Sequence, residues 1–191
     1  MSTNSVVAYL NEDGSVVSSY VHYDGYETGV GMMLLEHYNT DKCARDLAST
    51  LGYASSLSET VAESHADRVH TDEPETFESM EEFELYLMEN SHLEFGYLWT
   101  GGKWMVASWT TTVEGTGPYA EYNSTWNGFS WLVTSFVRSG RKTVDRFRDL
   151  ALEDNREGRN EYDEFADEME VLVDKWNRYG MGEIASEAMA A

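Results

Sequence analysis

His22, Asp24 and His37 are the residues whose types could most directly do chemistry. His22 and Asp24 stand two apart, so on a strand they share a face. His37 lies beyond a Gly-bounded turn and could fold back towards them. Two imidazoles and a carboxylate make a reasonable metal set. A bland reading competes: Asp24 closes an Asx-turn at a strand end while His22 packs on aromatic neighbours. The bland reading is preferred, so neither metal nor cofactor is expected. Gly25-x-x-x-Gly29-x-Gly31 has the look of a phosphate cradle ahead of a helix. A P-loop would continue with Lys and then Ser or Thr, whereas Met32 and Met33 follow here. The glycines are therefore expected to take positive φ between strand and helix. Cys43 has no acid–base partner nearby and no G-x-S-x-G occurs, so nucleophilic hydrolysis finds no support. His65, His70 and His92 fall in acidic stretches and read as solvated.

Charge offers a different chemistry. Among 191 residues, 35 acids face 13 Lys and Arg, a net charge of −22. Residues 51–100 hold twelve acids and one base, and residues 151–191 hold twelve and four. Residues 101–150 are slightly basic, with six bases to four acids. Such a chain repels phosphates and anionic lipid, so direct nucleic-acid binding is not expected and partners should be cationic. One candidate surface is Glu161, Asp163, Glu164, Asp167, Glu168, Glu170 and Asp174 on a C-terminal helix. A second runs through Glu73, Glu75, Glu78, Glu81, Glu82, Glu84 and Glu89. Residues four apart on a helix rise by about 6 Å, so carboxylate rows can imitate part of a phosphate lattice. The basic run Arg138, Arg141, Lys142, Arg146 and Arg148 is expected to pair with acids inside the molecule. Trp99, Trp104, Trp109, Tyr119, Tyr122, Trp126 and Trp131 could stack on bases, but only Lys103 accompanies them. They suit a core or a protein interface better.

These residues need a frame. Val6–Leu10 and Val16–Val21 flank Asn11-Glu12-Asp13-Gly14 and predict a hairpin. Met32, Leu34, Leu35 and Tyr38 predict a helix, and Ala44, Leu47, Ala48 and Leu51 another, capped near Asn39–Asp41 and ended by Gly52. Residues 53–76 read as loop with one short strand near Tyr53. Ser79 and Glu82 form a capping box for a third helix carrying Phe83, Leu85, Tyr86 and Leu87. Phe95–Trp99 and Trp104–Ser108 flank Gly101-Gly102, a second hairpin. Residues 114–130 read as loop, Trp131–Val137 as short helix or strand, and a helix starts near Lys142. The last helix, capped by Asn160, carries a heptad seam: Tyr162, Phe165, Met169, Leu172 and Trp176. That seam could face the core or a second copy in a homodimer. Residues 181–191 read as a frayed tail. The expectation is an α+β protein: a 1–112 core with a small antiparallel sheet of two hairpins and about three helices, then a mostly helical 113–191 section. No run approaches the roughly 20 apolar residues of a membrane span, and the N-terminal residues lack the pattern of a signal peptide.

The segment Tyr20–Asn39 contains Tyr20, His22, Asp24, Gly25, Tyr26, Gly29, Val30, Gly31, Leu34, His37 and Tyr38. This resembles a family of small bacteriophage proteins with the pattern Y-x-H-W-D-G-Y-P-x-G-V-G-x-x-L-x-x-H-Y. Tyr23 and Glu27 depart from it. Leu51-Gly52 with Ser55–Leu57, and Tyr97-Leu98 with Gly102–Trp104, are similar too, so the resemblance covers about residues 5–110. It brings no activity or cofactor, and implies a phage protein acting in the host cytoplasm. With the charge, it predicts a non-enzymatic protein that binds and inhibits a basic, nucleic-acid-binding host protein. An interaction role for the aromatic stretch, or a small metal- or nucleotide-dependent enzyme, is the alternative.

Overall fold

The computed structural model describes residues 3–66, 72–114, 121–153 and 161–182. The expectations for His70, Tyr119, the Asn160 cap and the tail beyond 182 lie outside these residues. Strands β1 (Asn4–Leu10) and β2 (Val16–Val21) form the first hairpin. Gly14 turns it at φ +89°, and the Asp13 carboxylate accepts from the Ser15 N–H at 3.0 Å. One π-helical turn, Glu27–Gly31, leads into α1 (Met32–His37). Helix α2 (Asp41–Thr50) is capped by Thr40, whose hydroxyl accepts from the Cys43 N–H. β3 (Tyr53–Ala54), α3 (Val61–Ala66) and β4 (Glu75–Phe77) follow. Ser79 caps α4 (Met80–Glu89) by accepting from the Glu82 N–H, and Glu82 accepts from the Glu78 N–H at 2.6 Å. β5 (Leu93–Thr100) and β6 (Lys103–Glu114) form the second hairpin. Gly101 and Gly102 both take positive φ, as a two-residue turn requires.

The α+β expectation holds, but the sheet is mixed, in the order β3-β2-β1-β5-β6-β7, with β4 also on the β2 edge. The two hairpins lie side by side through a parallel β1–β5 pair, which needs a long crossover. That crossover holds all the elements from β2 to α4. The loop expected over 114–130 is corrected: β7 (Glu121–Trp131) pairs antiparallel with β6 from Glu114↔Glu121 to Met105↔Trp131. The sheet therefore continues past residue 112. Helix α5 (Leu132–Glu153) is one unbroken run where a short element and a later helix were expected. Gly140 does not break it, because the missing side chain is where α6 (Glu161–Gly180) comes closest. A Cβ there would sit 2.4 Å from Val173 Cγ2.

Both sheet faces are covered, so β1 is buried along its middle. Val7, Tyr9, Val21, Tyr97, Trp99, Trp104 and Val106 face α1, α2, α5 and α6. Val6, Ala8, Val16, Leu93 and Leu98 face α4 through Phe83 and Leu87. The large aromatics find polar anchors. Trp104 Nε1 donates to the Tyr38 carbonyl at 3.1 Å, and Trp99 Nε1 and Tyr9 Oη both donate to Asp41 Oδ1. Trp176 Nε1 and Lys175 Nζ both donate to Glu36, tying α6 to α1.

The heptad seam is used within the chain and is rotated from the expected one. Ala166, Met169, Val173 and Trp176 are buried; Tyr162 and Leu172 are half-buried; Phe165 is 39% exposed. Val173 and Met169 meet α5 at Gly140, and Tyr162 and Phe165 lie against Phe147 of α5. No helix among the described residues is long and apolar enough to cross a membrane.

Candidate functional site

The strand-to-helix connection holds the first candidate set. Tyr20 Oη lies 3.1 Å from His22 Nδ1, and the imidazole stands edge-on to Tyr23 at 4.3 Å and near Tyr53 at 6.5 Å. Asp24 Oδ1 accepts from Tyr26 Oη at 3.1 Å. His37 is exposed at the end of α1. His22 and Asp24 thus bond to tyrosines, and no group of three or more His, Cys, Asp or Glu among the described residues could hold a metal.

The role expected of the glycines is corrected. None of Gly25, Gly29 and Gly31 has positive φ; the left-handed residue is Asp24, at φ +58°. The glycines serve close backbone approach instead. A Cβ on Gly25 would lie 2.6 Å from the Thr3 carbonyl oxygen, and one on Gly29 would lie 2.2 Å from that of Asp24. The amides are used internally too: Gly25 donates to Thr3, Gly29 and Gly31 to Tyr26, and Val30 to Asp24. They do not cradle an anion. Behind the turn, Tyr97 Oη donates to the Gly25 carbonyl at 2.8 Å, fully buried. Burial, reinforced by Glu27, holds the Tyr97 phenol well above its ordinary pKa.

This turn forms one wall of a cleft of about 810 Å³; the other is α5, with Phe165 of α6 at its edge. From α5 come Ser139, Lys142, Thr143, Arg146, Phe147 and Leu150. The expectation that the basic run pairs internally holds for Arg148 alone, which meets Asp163 at 3.5 Å, Glu170 at 3.1 Å, and Asp167. Arg138 donates to Ser135. Arg141, Lys142 and Arg146 are exposed and join no ion pair among the described residues. A signal for this was present in the spacing. Lys142 and Arg146 are four apart and share a helix face, while Arg148 lies about 200° round from Arg146.

The structure does not bring the two acidic surfaces together. Helix α6 packs on one face of the sheet and α4 on the other. On α6, Asp163, Asp167 and Glu170 are drawn to Arg148, while Glu161, Glu164, Glu168 and Asp174 stay exposed. Near α4, Glu73, Glu75, Glu78, Glu81, Glu82 and Glu89 are exposed and Glu84 is half-buried. No cation is within ion-pair range of them among the described residues. Leu85 and Met88 are exposed in their midst at 49% and 45%.

Among the described residues the aromatic stretch does not assemble into one surface. Trp99 and Trp104 are core. Trp109 and Trp126 pair across β6 and β7 at 5.4 Å, and Trp131 lies against Tyr179 with Lys103 over its ring. Compared with family models, curated proteins and solved structures, the chain finds no match.

Proposed function

We propose that this protein acts without chemistry of its own, binding and inhibiting a basic, nucleic-acid-binding protein in the cytoplasm of a bacterial host. The observation that carries the reading is the α4 face: Glu78, Glu81, Glu82 and Glu89 are exposed, with no cation partner among the described residues, beside the exposed apolar side chains Leu85 and Met88. An acidic rim around Leu85 and Met88 complements a basic surface with an apolar contact at its centre. The ten residues of α4 span about 15 Å, over which duplex DNA presents about nine charges. The face can thus compete for a groove built for phosphates. The row Glu161, Glu164 and Glu168 on α6 is a separate, smaller surface. The resemblance of Tyr20–Asn39 to phage proteins supplies the setting.

The test compares two charge-reversed proteins with wild type in capture from bacterial lysate, with DNA as competitor. Reversing Glu78, Glu81 and Glu89 to Lys is expected to slow association by about tenfold or more. Reversing Glu161, Glu164 and Glu168 is expected to do much less. Capture should be lost at high salt and on adding DNA. A partner that DNA does not displace, or that the α4 reversal does not affect, overturns the reading.

A further inference from the structure

We propose that the cleft between the Asp24–Met33 turn and α5 is a binding site for a small amphiphilic anion. Its head, a carboxylate, sulfonate or phosphate, would sit on Lys142 and Arg146, and its apolar body on Met33, Phe147, Leu150 and Phe165. This is independent of the α4 reading, because the cleft contains no α4 residue.

Lys42, Arg45, Arg148 and Lys175 have acid partners, whereas Lys103, Arg138, Arg141, Lys142 and Arg146 join no ion pair among the described residues. Of these five, Lys142 and Arg146 line the cleft, one turn apart at the same opening. The acids of the cleft, Asp24 and Glu27, belong to the facing wall, and Asp24 is already bonded to Tyr26. An anionic head is therefore directed to α5, where the Ser139 hydroxyl adds a donor, the Thr143 hydroxyl being already bonded to the Ser139 carbonyl at 3.0 Å.

The apolar lining fixes the rest of the ligand. Long-range repulsion from −22 opposes any anion, so two exposed cations alone would hold a bare phosphate weakly. Buried apolar area must add to them. Phe165 supplies it: the ring meets Phe147 at 4.4 Å between centroids yet is 39% exposed at the cleft. Met32 and Met33 line the same space, and methionine adapts to irregular shapes. A volume of about 810 Å³ lies within the range of small-molecule sites.

The experiment titrates the full chain with 8-anilinonaphthalene-1-sulfonate, an aromatic anion whose fluorescence rises on leaving water. Decanoate and inorganic phosphate serve as competitors. Wild type is expected to give one saturable site, displaced by decanoate and unaffected by phosphate at equal concentration. Lys142→Ala and Arg146→Ala should each weaken binding by about tenfold, as lost charge-assisted contacts do. Phe165→Ser should weaken it as well, while Arg141→Ala, outside the cleft, should leave it within about twofold. All four positions are at least one-third exposed or on the surface, and circular dichroism checks that each variant is folded. Absence of a saturable site overturns the proposal. So does an Arg141→Ala effect equal to those of Lys142→Ala and Arg146→Ala, or displacement by phosphate as effective as by decanoate.

Discussion

A methyl group at Gly29 would meet the Asp24 carbonyl oxygen at 2.2 Å, and that carbonyl already accepts from Val30 at 2.7 Å. Neither backbone can yield without breaking the turn. Gly29→Ala should therefore cost about 2–4 kcal/mol, lowering the melting temperature by several degrees. Gly128→Ala is the matched control: nothing lies within 4 Å of its Cβ position, so its melting temperature should stay close to wild type. Tyr97 gives a second test. Its folded-state pKa is raised by burial above the ordinary value near 10. The unfolded phenol thus ionises first, and stability is full below about pH 10 and falls as pH rises beyond it. Tyr97→Phe should cost about 1–2 kcal/mol at pH 7 through the lost bond to Gly25. It should also shrink the alkaline loss of stability, measured by urea unfolding at several pH values. At this scale the sequence was legible where chemistry is local. His22 against aromatics follows from its neighbours; Asp24 lies at a turn as expected, but its carboxylate accepts from the Tyr26 hydroxyl where an Asx-turn was expected. Positive φ at Asp24 rather than at a glycine does not follow from the neighbours, because Gly25 is held to Thr3, just ahead of β1 and far away in sequence.

Three consecutive residues test the rotated seam of α6. Val171 is 69% exposed, Leu172 half-buried and Val173 buried against Gly140 of α5. Urea unfolding should rank Val173→Asp as the most damaging, by several kcal/mol, since it buries an unpaired charge. Leu172→Asp should cost less, and Val171→Asp close to nothing. Equal effects at 172 and 173 would restore the expected seam. Hairpins and capped helices were readable because each is closed by a few adjacent residues: Gly14, Gly101-Gly102, Thr40, Ser79. The elements missed lack such a signature. β7 pairs a Thr-, Ser- and Asn-rich ribbon with β6, and Thr110–Val113 and Asn123–Thr125 are all exposed. Without a buried face there is no alternation to read. Met169 and Trp176 of the expected seam are buried, whereas Phe165 and Leu172 yield to their neighbours Ala166 and Val173, because Val173 sits where Gly140 of α5 leaves room. The cleft was invisible, since Lys142 and Arg146 stand more than 100 residues from the glycines they face.

For the whole molecule, the two sheet faces divide the charge between α4 and α6, and neither is fully neutralised among the described residues. Carboxylates held this close repel one another, and folding brings them closer than the unfolded chain does. Arg148 relieves three of them; the α4 face has no such relief among the described residues. Salt should therefore stabilise this protein. Raising sodium chloride from about 20 mM to about 500 mM shortens the screening length from roughly 20 Å to roughly 4 Å, and the melting temperature should rise by several degrees. A fall would mean that ion pairs outweigh the repulsion. The same change should weaken capture of a basic partner, because attraction between the surfaces is screened along with repulsion within one of them. Stability and binding are thus expected to move in opposite directions over one salt series. That opposition gives the binding test its force, because a partner lost at high salt is then lost from a protein more firmly folded than before. The Lys variants at Glu78, Glu81 and Glu89 add a crossed check. They should flatten both trends together, stabilising the fold at low salt while slowing association, which a merely damaged protein would not do.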